Sequence, residues 1–401
     1  MRRYYTGTDF RRTRSIPELA ELARRRVPHF AWEYVAGGAE EEITLRRNRE
    51  GFAEIGLRSH TLVPCSAPDT RTAIFGKTLP LPMLIGPTGY NGVLWRDADL
   101  HLARAAASRG LPIALSTVST GSMERVAGAI AGGDLWFQLY CLRDAATQEG
   151  LLSRAEALDV KTLLLTTDAV LLGNREWDKR NFIKPQKLTW RNKLDVLRHP
   201  RWIRQALWPN GMPSMGNLDP YLPPESRNAA GAAHFIAQQM DTGLDWQYLA
   251  RLRERWKGNL VLKGVLHPAD AERALALGLD GIVVTNHGGR QLDGSPASID
   301  VLPAVAAAVK GRMTILFDSG IRRGTDILKA CALGADAVLL GRATLYGVAV
   351  GGEAGASHAL DLLATELRLA LNLAGCTGLD ALDETWLYRQ GQNPFPEGMH
   401  T

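Results

Sequence analysis

Eight short apolar runs recur along this chain, at residues 81–86, 113–117, 134–140, 161–166, 260–264, 281–285, 313–318 and 337–341, with helical patterns between most of them, as at 97–109, 143–157, 268–277 and 324–333. No other feature restricts the fold as tightly. Runs this short, rich in branched side chains and bounded by glycine, read as buried strands. Strands that alternate with helices pair in parallel, and eight such units predict a closed (β/α)8 TIM barrel. An open doubly wound sheet of Rossmann type is the runner-up. It is disfavoured because no G-x-G-x-x-G opens a helix after an early strand.

The chain of 401 residues reads as a single domain. Residues 1–75 form an N-terminal helical segment: Ser15 caps a helix opened by Pro17 and Glu18, and Pro28 opens a second that ends on Gly37-Gly38. The barrel spans 76–385, and 386–401 is a C-terminal tail. The strand spacing breaks once, where about ninety residues separate the fourth run from the fifth. The insertion, about 173–240, is far longer than an ordinary connection, and loops of that length are functional or disordered.

Composition narrows the class. Hydrophobic and charged contents of 45% and 22% are those of a globular enzyme. The basic Met1-Arg2-Arg3 start is not followed by an apolar stretch, so no signal peptide is expected. No run of apolar residues is long enough for a transmembrane helix. Cys65, Cys141, Cys331 and Cys376 are far apart and form no C-x-x-C pair. That argues against structural zinc and a disulfide framework, and for a reducing, cytoplasmic compartment. No metal is expected. The net charge of +5 is mild and no nucleic-acid motif accompanies it, so nucleic acid is set aside.

In a (β/α)8 barrel the C-terminal strand ends carry the chemistry. The sixth run leads into Thr285-Asn286-His287-Gly288-Gly289-Arg290-Gln291-Leu292-Asp293-Gly294. A His three residues before an Arg offers a proton acceptor beside a fixed cation, which suits a substrate with an acidic proton and a carboxylate. A solvated surface turn is the plain alternative. The fourth run ends at Asp168, which either caps a helix or orients a histidine. Lys263 lies inside the fifth run, where a lysine is costly unless paired. The seventh and eighth runs end in Asp318-Ser319-Gly320-Ile321-Arg322 and Gly341-Arg342, and glycine-rich turns at these two strands commonly hold a phosphate.

The ten-residue string resembles the signature of the FMN-dependent L-2-hydroxy acid oxidase and dehydrogenase family, which usually begins it with Ser where this chain has Thr285. The resemblance covers about residues 15–385, and its motifs fall in order along the strand ends. It implies FMN as cofactor. Pro87, Thr88 and Gly89 would run along the flavin ring, with Ser116, Gln138, Thr166 and Thr285 also against it and Lys263 beside the pyrimidine oxygens. Asp318, Gly320, Arg322, Gly341 and Arg342 would hold the phosphate. It further implies His287 as base, Asp168 as its orienter, Arg290, Arg175 and Tyr34 on the substrate carboxylate, and Tyr140 on the substrate hydroxyl. Gly89 and Val118 stand where members acting on small acids carry bulkier residues. The expected substrate is therefore (S)-mandelate or a related aromatic hydroxy acid, with L-lactate dehydrogenation or oxygen-using oxidation as alternatives. A phosphate-binding barrel without flavin is the remote one. By the same resemblance the chain would be a homotetramer.

Residues 179–208 of the insertion hold nine Lys or Arg against one acid, Asp195, interleaved with Phe182, Ile183, Leu188, Trp190, Leu194, Val196, Leu197, Trp202, Ile203, Leu207 and Trp208. Basic residues among Trp and Leu are the composition of an interfacial membrane segment. A lid or a subunit contact is the alternative. Mandelate-oxidising members of the family use the corresponding segment as a peripheral anchor. The expectation is a protein peripheral to the cytoplasmic face of the inner membrane that passes electrons to a membrane quinone.

Overall fold

The computed structural model describes residues 4–184 and 187–393, without the side chain of Lys184. Residues 1–3 and residues 394–401 of the expected tail lie outside the described part.

The fold is a closed barrel of eight parallel strands with flanking helices. In chain order the strands are β1 (Met83–Ile85), β2 (Ile113–Ser116), β3 (Leu135–Tyr140), β4 (Thr162–Thr166), β5 (Asn259–Val265), β6 (Gly281–Val284), β7 (Thr314–Phe317) and β8 (Ala337–Leu340). β8 closes the ring on β1, with Val338 opposite Met83 and Leu340 opposite Ile85. The expected helices appear at Ala98–Ala107, Ala145–Ala157, Pro268–Ala276 and Gly324–Ala332. Strand alternation sorts the core into two compartments. Leu84, Ala114, Trp136, Leu164, Val261, Val283, Leu316 and Leu339 fill the barrel interior. Their neighbours, among them Ile85, Leu115, Phe137, Leu165, Ile282 and Phe317, join the outer core beneath the helices. A hairpin of Thr72–Ile74 with Lys77–Leu79 adds Ile74, Phe75 and Leu79 to the inner cluster. The ring of Phe75 lies 5.6 Å from that of Trp136.

Ahead of the barrel come α1 (Ile16–Arg26), α2 (His29–Ala36) and α3 (Ile43–Ala53). Ser15 caps α1, its hydroxyl accepting from the Glu18 amide at 3.4 Å. The last helix, Arg342–Ala374, breaks at Gly351 and Gly352, where the backbone leaves helical values.

The insertion is structured, because it has an apolar face of its own to bury. It contains helices Trp190–Leu197 and Ala229–Gln239 and a short hairpin of Phe182–Lys184 with Lys187–Leu188. Trp202 is only 2% exposed, and its indole donates to the Val93 carbonyl at 2.8 Å. Phe30 of α2 meets both Phe182 and Trp202 edge to face. Asp195, the one acid of the basic segment, accepts from the His29 amide at the start of α2 at 2.7 Å. Further on, Asn217 is fully buried and donates to the Ser116 carbonyl at the end of β2 at 2.9 Å. The segment thus divides: Trp202 serves the core, while Trp190, Leu194, Leu197 and Trp208 face outward, each at least 48% exposed. Truncation of a buried tryptophan typically costs about 3–5 kcal/mol. Trp202→Ala should lower the denaturant midpoint accordingly and loosen residues 180–208 first, as read by hydrogen exchange.

Candidate active site

The alternation that fills the barrel with apolar side chains also builds the site. Two residues beyond each inward apolar residue stands another inward position. In strand order these are Gly86, Ser116, Gln138, Thr166, Lys263, Thr285, Asp318 and Gly341. They form a polar and glycine layer directly above the apolar one. Ser116, Gln138, Thr166, Lys263 and Thr285 are each at most 4% exposed.

Part of this layer is satisfied within the chain. Ser116 donates to the Gln138 amide oxygen at 2.9 Å, and Thr285 donates to Asp318 at 2.7 Å. The rest is not. Gln138 Nε2 and Thr166 Oγ1 are buried without a partner. Lys263, in register with Thr166, has no carboxylate within 4 Å among the described residues. Buried polar groups are normally paired. Unpaired donors on three adjacent strands fit a planar ligand whose edge carries carbonyl oxygens and negative charge. The flavin pyrimidine has such an edge, so these residues fit FMN.

His287 is shaped by its backbone. His287, Gly288 and Gly289 have φ of 58°, 68° and 73°, a left-handed run that only its glycines adopt without cost. Hydrogen bonds hold it. The His287 amide donates to Thr285 Oγ1 at 3.0 Å, the Gly288 amide to Ser319 Oγ at 3.0 Å and the Gly289 amide to Asn286 Oδ1 at 3.1 Å. This turn brings His287 Nδ1 to 2.9 Å from Asp168 Oδ1. Burial pushes the imidazole pKa below its ordinary value, and Lys263 adds to that, while Asp168 opposes it. Burial alone would raise Asp168, but the charges of Lys263 and His287 hold it below the usual carboxylate range. The second oxygen of Asp168 is buried and unpaired.

Arg290 donates to the Tyr34 and Gly37 carbonyls at 2.8 and 2.9 Å, and its guanidinium lies over the Tyr34 ring. Burial, together with the charges of Arg175 and Arg342, pushes its pKa down to about 9, so it stays charged at neutral pH. Arg175 makes no side-chain hydrogen bond or ion pair among the described residues. Burial also raises the carboxyl of Asp178, which faces both arginines. The hydroxyl of Tyr34 donates to the Gly89 carbonyl at 2.9 Å. The Tyr140 hydroxyl has no hydrogen-bond partner among the described residues, and burial, then Asp168, raises its pKa.

At the seventh and eighth strand ends the structure redistributes the expected roles. Arg342 donates from all three nitrogens, to the carbonyls of Val35, Gly288 and Gly37 at 2.8–2.9 Å. In this arrangement it ties α2 to the His287 turn. Arg322 lies over the Tyr346 ring and donates to the Ile321 carbonyl. Gly320 has φ of 91°, and an added Cβ would sit 2.3 Å from the Asn48 carbonyl oxygen. At Gly341 an added Cβ would meet only Thr88, at 3.6 Å.

Several residues that matter here were not singled out from the sequence. Gln291 donates to the Asp168 and Leu171 carbonyls and accepts from the Gly173 amide, pinning the loop after β4. Asp293 accepts from the Ile43 and Thr44 amides at the start of α3. Asn286 and Asn48 exchange paired hydrogen bonds at 2.8 Å. For Gln291, Asp293 and Asn286, their place inside the ten-residue string was the available signal.

The comparisons agree with this geometry. The profile of the FMN-dependent dehydrogenase family matches residues 23–389. An L-lactate dehydrogenase of Pectobacterium atrosepticum is 43% identical over 360 residues, covering 89% of this chain and 92% of that protein. One of Yersinia pestis is 43% identical over 356 residues, 88% of this chain and 92% of that one. Among solved structures, the monotopic membrane protein (S)-mandelate dehydrogenase superposes with a TM-score of 0.90 at 38% identity, covering 94% of this chain and all of that one. Mandelate oxidase with (S)-4-hydroxymandelic acid gives 0.78 at 33% identity, over 92% of this chain and 97% of that one. The chain belongs to the FMN-dependent dehydrogenase family. It is a flavoprotein with FMN as cofactor and acts in 2-hydroxy acid oxidation.

Because Asp168 raises the His287 pKa against burial, Asp168→Asn should lower the imidazole midpoint further. Histidine NMR titration of the FMN-loaded protein reads this directly. An unchanged or higher midpoint would contradict the pairing.

Proposed function

We propose that this chain oxidises (S)-mandelate or a related aromatic L-2-hydroxy acid to its 2-oxo acid and passes the electrons to a membrane quinone. The observation that carries the chemistry is the oriented His287–Asp168 pair beside two neighbouring guanidiniums, Arg290 and Arg175, neither paired with a carboxylate. Like charges held together in a closed site favour an anion between them.

FMN supplies the two-electron acceptor. In this reading Arg290, Arg175 and Tyr34 hold the substrate carboxylate, which fixes the α-carbon relative to the cofactor layer. Tyr140 meets the substrate hydroxyl. With Nδ1 engaged by Asp168, Nε2 of His287 takes the proton, whether from the α-carbon or from the hydroxyl. Positive charge then rests on the imidazole, and Asp168 stabilises it. Gln138, Thr166 and Lys263 hold the pyrimidine edge, and the Lys263 charge favours the reduced cofactor. Pro87, Thr88 and Gly89 line the ring. Asp318, Gly320, Arg322, Gly341 and Arg342 remain the proposed phosphate side, with Arg342 acting partly through the backbone it ties.

Gly89 and Val118 favour an aromatic substrate by leaving room beside the ring. L-lactate is the second reading, favoured by the names of the 43% identical relatives. The ratio of kcat/KM for (S)-mandelate and L-lactate, with a dye acceptor and with oxygen, separates these readings. His287→Gln should retain FMN and lose turnover by about 100-fold or more. A variant that keeps more than about a tenth of wild-type turnover would contradict His287 as base.

The membrane part of the proposal is supported by the helix Trp190–Leu197. Its Trp190, Leu194 and Leu197 share one face at helical spacing and point outward, among exposed Arg191, Lys193 and Arg198. Trp177, Ile183 and Trp208 are exposed in the same segment. No described helix is long and apolar enough to cross a membrane, which leaves the interfacial mode for this segment. The proposed place is the cytoplasmic face of the inner membrane, and the proposed assembly is a homotetramer, carried over from the family resemblance. On vesicles containing phosphatidylglycerol at low salt, the intact protein should float, and a Trp190→Ser, Leu194→Ser, Leu197→Ser variant should stay behind. If both remain soluble, or both float equally, this helix is not the anchor.

A further inference from the structure

Asp99 is 1% exposed and stands at the start of the helix after β1, outside the catalytic constellation. Among the described residues no cation pairs with it. Burial raises its pKa, and hydrogen bonds from Thr120, Gly121 and Asn91 oppose that. One oxygen accepts from the Thr120 amide at 2.9 Å, the Thr120 hydroxyl at 2.6 Å and the Gly121 amide at 2.8 Å. The other accepts from Asn91 Nδ2 at 2.7 Å. That same amide nitrogen donates to the Thr88 carbonyl and hydroxyl, at 3.1 and 2.9 Å.

The carboxylate therefore stands between two turns, residues 87–91 after β1 and residues 118–121 after β2. Further bonds join the same turns. The Gly92 amide donates to Thr120 Oγ1 at 3.1 Å, and the Tyr90 amide donates to the Val118 carbonyl. At the far end of both turns lies the Gly89–Val118 contact. A Cβ on Gly89 would fall 2.5 Å from Val118 Cγ2. A methyl on Gly89 would have to displace the Val118 side chain.

We propose that Asp99 is a positioning residue for substrate selection: through Asn91 and Thr120 it fixes the two turns against each other and so sets the width of the pocket at Gly89 and Val118. This rests on the reading that Gly89 and Val118 border the substrate. The chemistry of the site explains why a carboxylate is needed. Four donors converge on two oxygens, and an amide offers only one acceptor oxygen and a nitrogen that donates. Asp99→Asn would have to aim its NH2 group at the Asn91 donor or at the Thr120 and Gly121 donors. The cheaper accommodation is on the Asn91 side, because Asn91 Oδ1 is buried without a partner and can turn to accept. That flip takes Nδ2 away from Thr88 and frees the first turn.

The test uses the FMN-loaded protein with three variants in parallel: Asp99→Asn, Asn91→Ala and Gly89→Ala. A small misplacement in a tight apolar pocket costs about tenfold or more in selectivity. Asp99→Asn and Asn91→Ala should raise KM for (S)-mandelate by about tenfold while kcat for L-lactate and the flavin absorbance change little. Gly89→Ala should shift the mandelate to lactate ratio in the same direction. If Gly89→Ala moves the ratio while Asn91→Ala and any folded Asp99→Asn lower both substrates equally or neither, Asp99 is merely structural and the inference is overturned. If Gly89→Ala leaves the ratio unmoved, the pocket reading falls, and this inference falls with it. Should Asp99→Asn not fold, Asn91→Ala alone decides, since it cuts the Asp99–Asn91–Thr88 link and leaves the Thr120 and Gly121 bonds to Asp99 in place.

Discussion

A closed parallel barrel has one unavoidable constraint: every second side chain of each strand points inward, and no strand can slip by one residue without turning its core outward. Here that constraint places an apolar layer from Leu84 to Leu339 and, two residues further, the layer from Gly86 to Gly341. The lower layer is held by packing. The upper layer is left, among the described residues, with unpaired donors at Gln138, Thr166 and Lys263, a cost that a bound anionic ring edge would remove.

Above that layer the electrostatics divides the work. Cations predominate: the charge of Lys263 acts on Asp168, while Arg290 and Arg175 lie near each other and face the buried carboxyl of Asp178. Burial, with the charges of Arg175 and Arg342, lowers Arg290 to about 9, and burial, with the charge of Arg322, lowers Arg342 to about 10. Such a cluster is stabilised by the anions it takes up. Burial, with the charges of Lys263 and Arg290, lowers the His287 pKa, while Asp168 limits how far its basicity falls. The left-handed turn at His287 holds the imidazole in this field, and Thr285, Ser319 and Arg342 hold the turn.

Much of this was legible in the sequence because the barrel repeats. The eight apolar runs located the strands to within a residue or two, and the residues closing the runs form the polar and glycine layer above the apolar one. His287 and Asp168, 119 positions apart, could be paired because both follow strands whose ends converge on one mouth. What was not legible depends on backbone geometry. Nothing in the composition of the insertion separated Trp202, buried on Phe30, from Trp190, which faces outward. Arg342 read as a phosphate ligand because it follows a glycine at the eighth strand. Its bonds to Val35, Gly37 and Gly288 depend on where α2 ends, and no local pattern reveals that. Gln291, Asp293 and Asn286 went unread because the string drew notice for its histidine and arginine alone.

The central claim is that the carboxylate clamp and the proton acceptor are separate devices around one substrate. Binding of phenylacetate, a carboxylate with no hydroxyl to deprotonate, isolates the clamp and can be followed through the flavin difference spectrum. Arg175→Met should weaken this binding by about tenfold or more, the scale of a lost charge-assisted pair. His287→Gln should leave it within about threefold, since a neutral base contributes little to holding the anion. Equal losses in the two variants, or none with Arg175→Met, would contradict the division of roles between the arginines and His287.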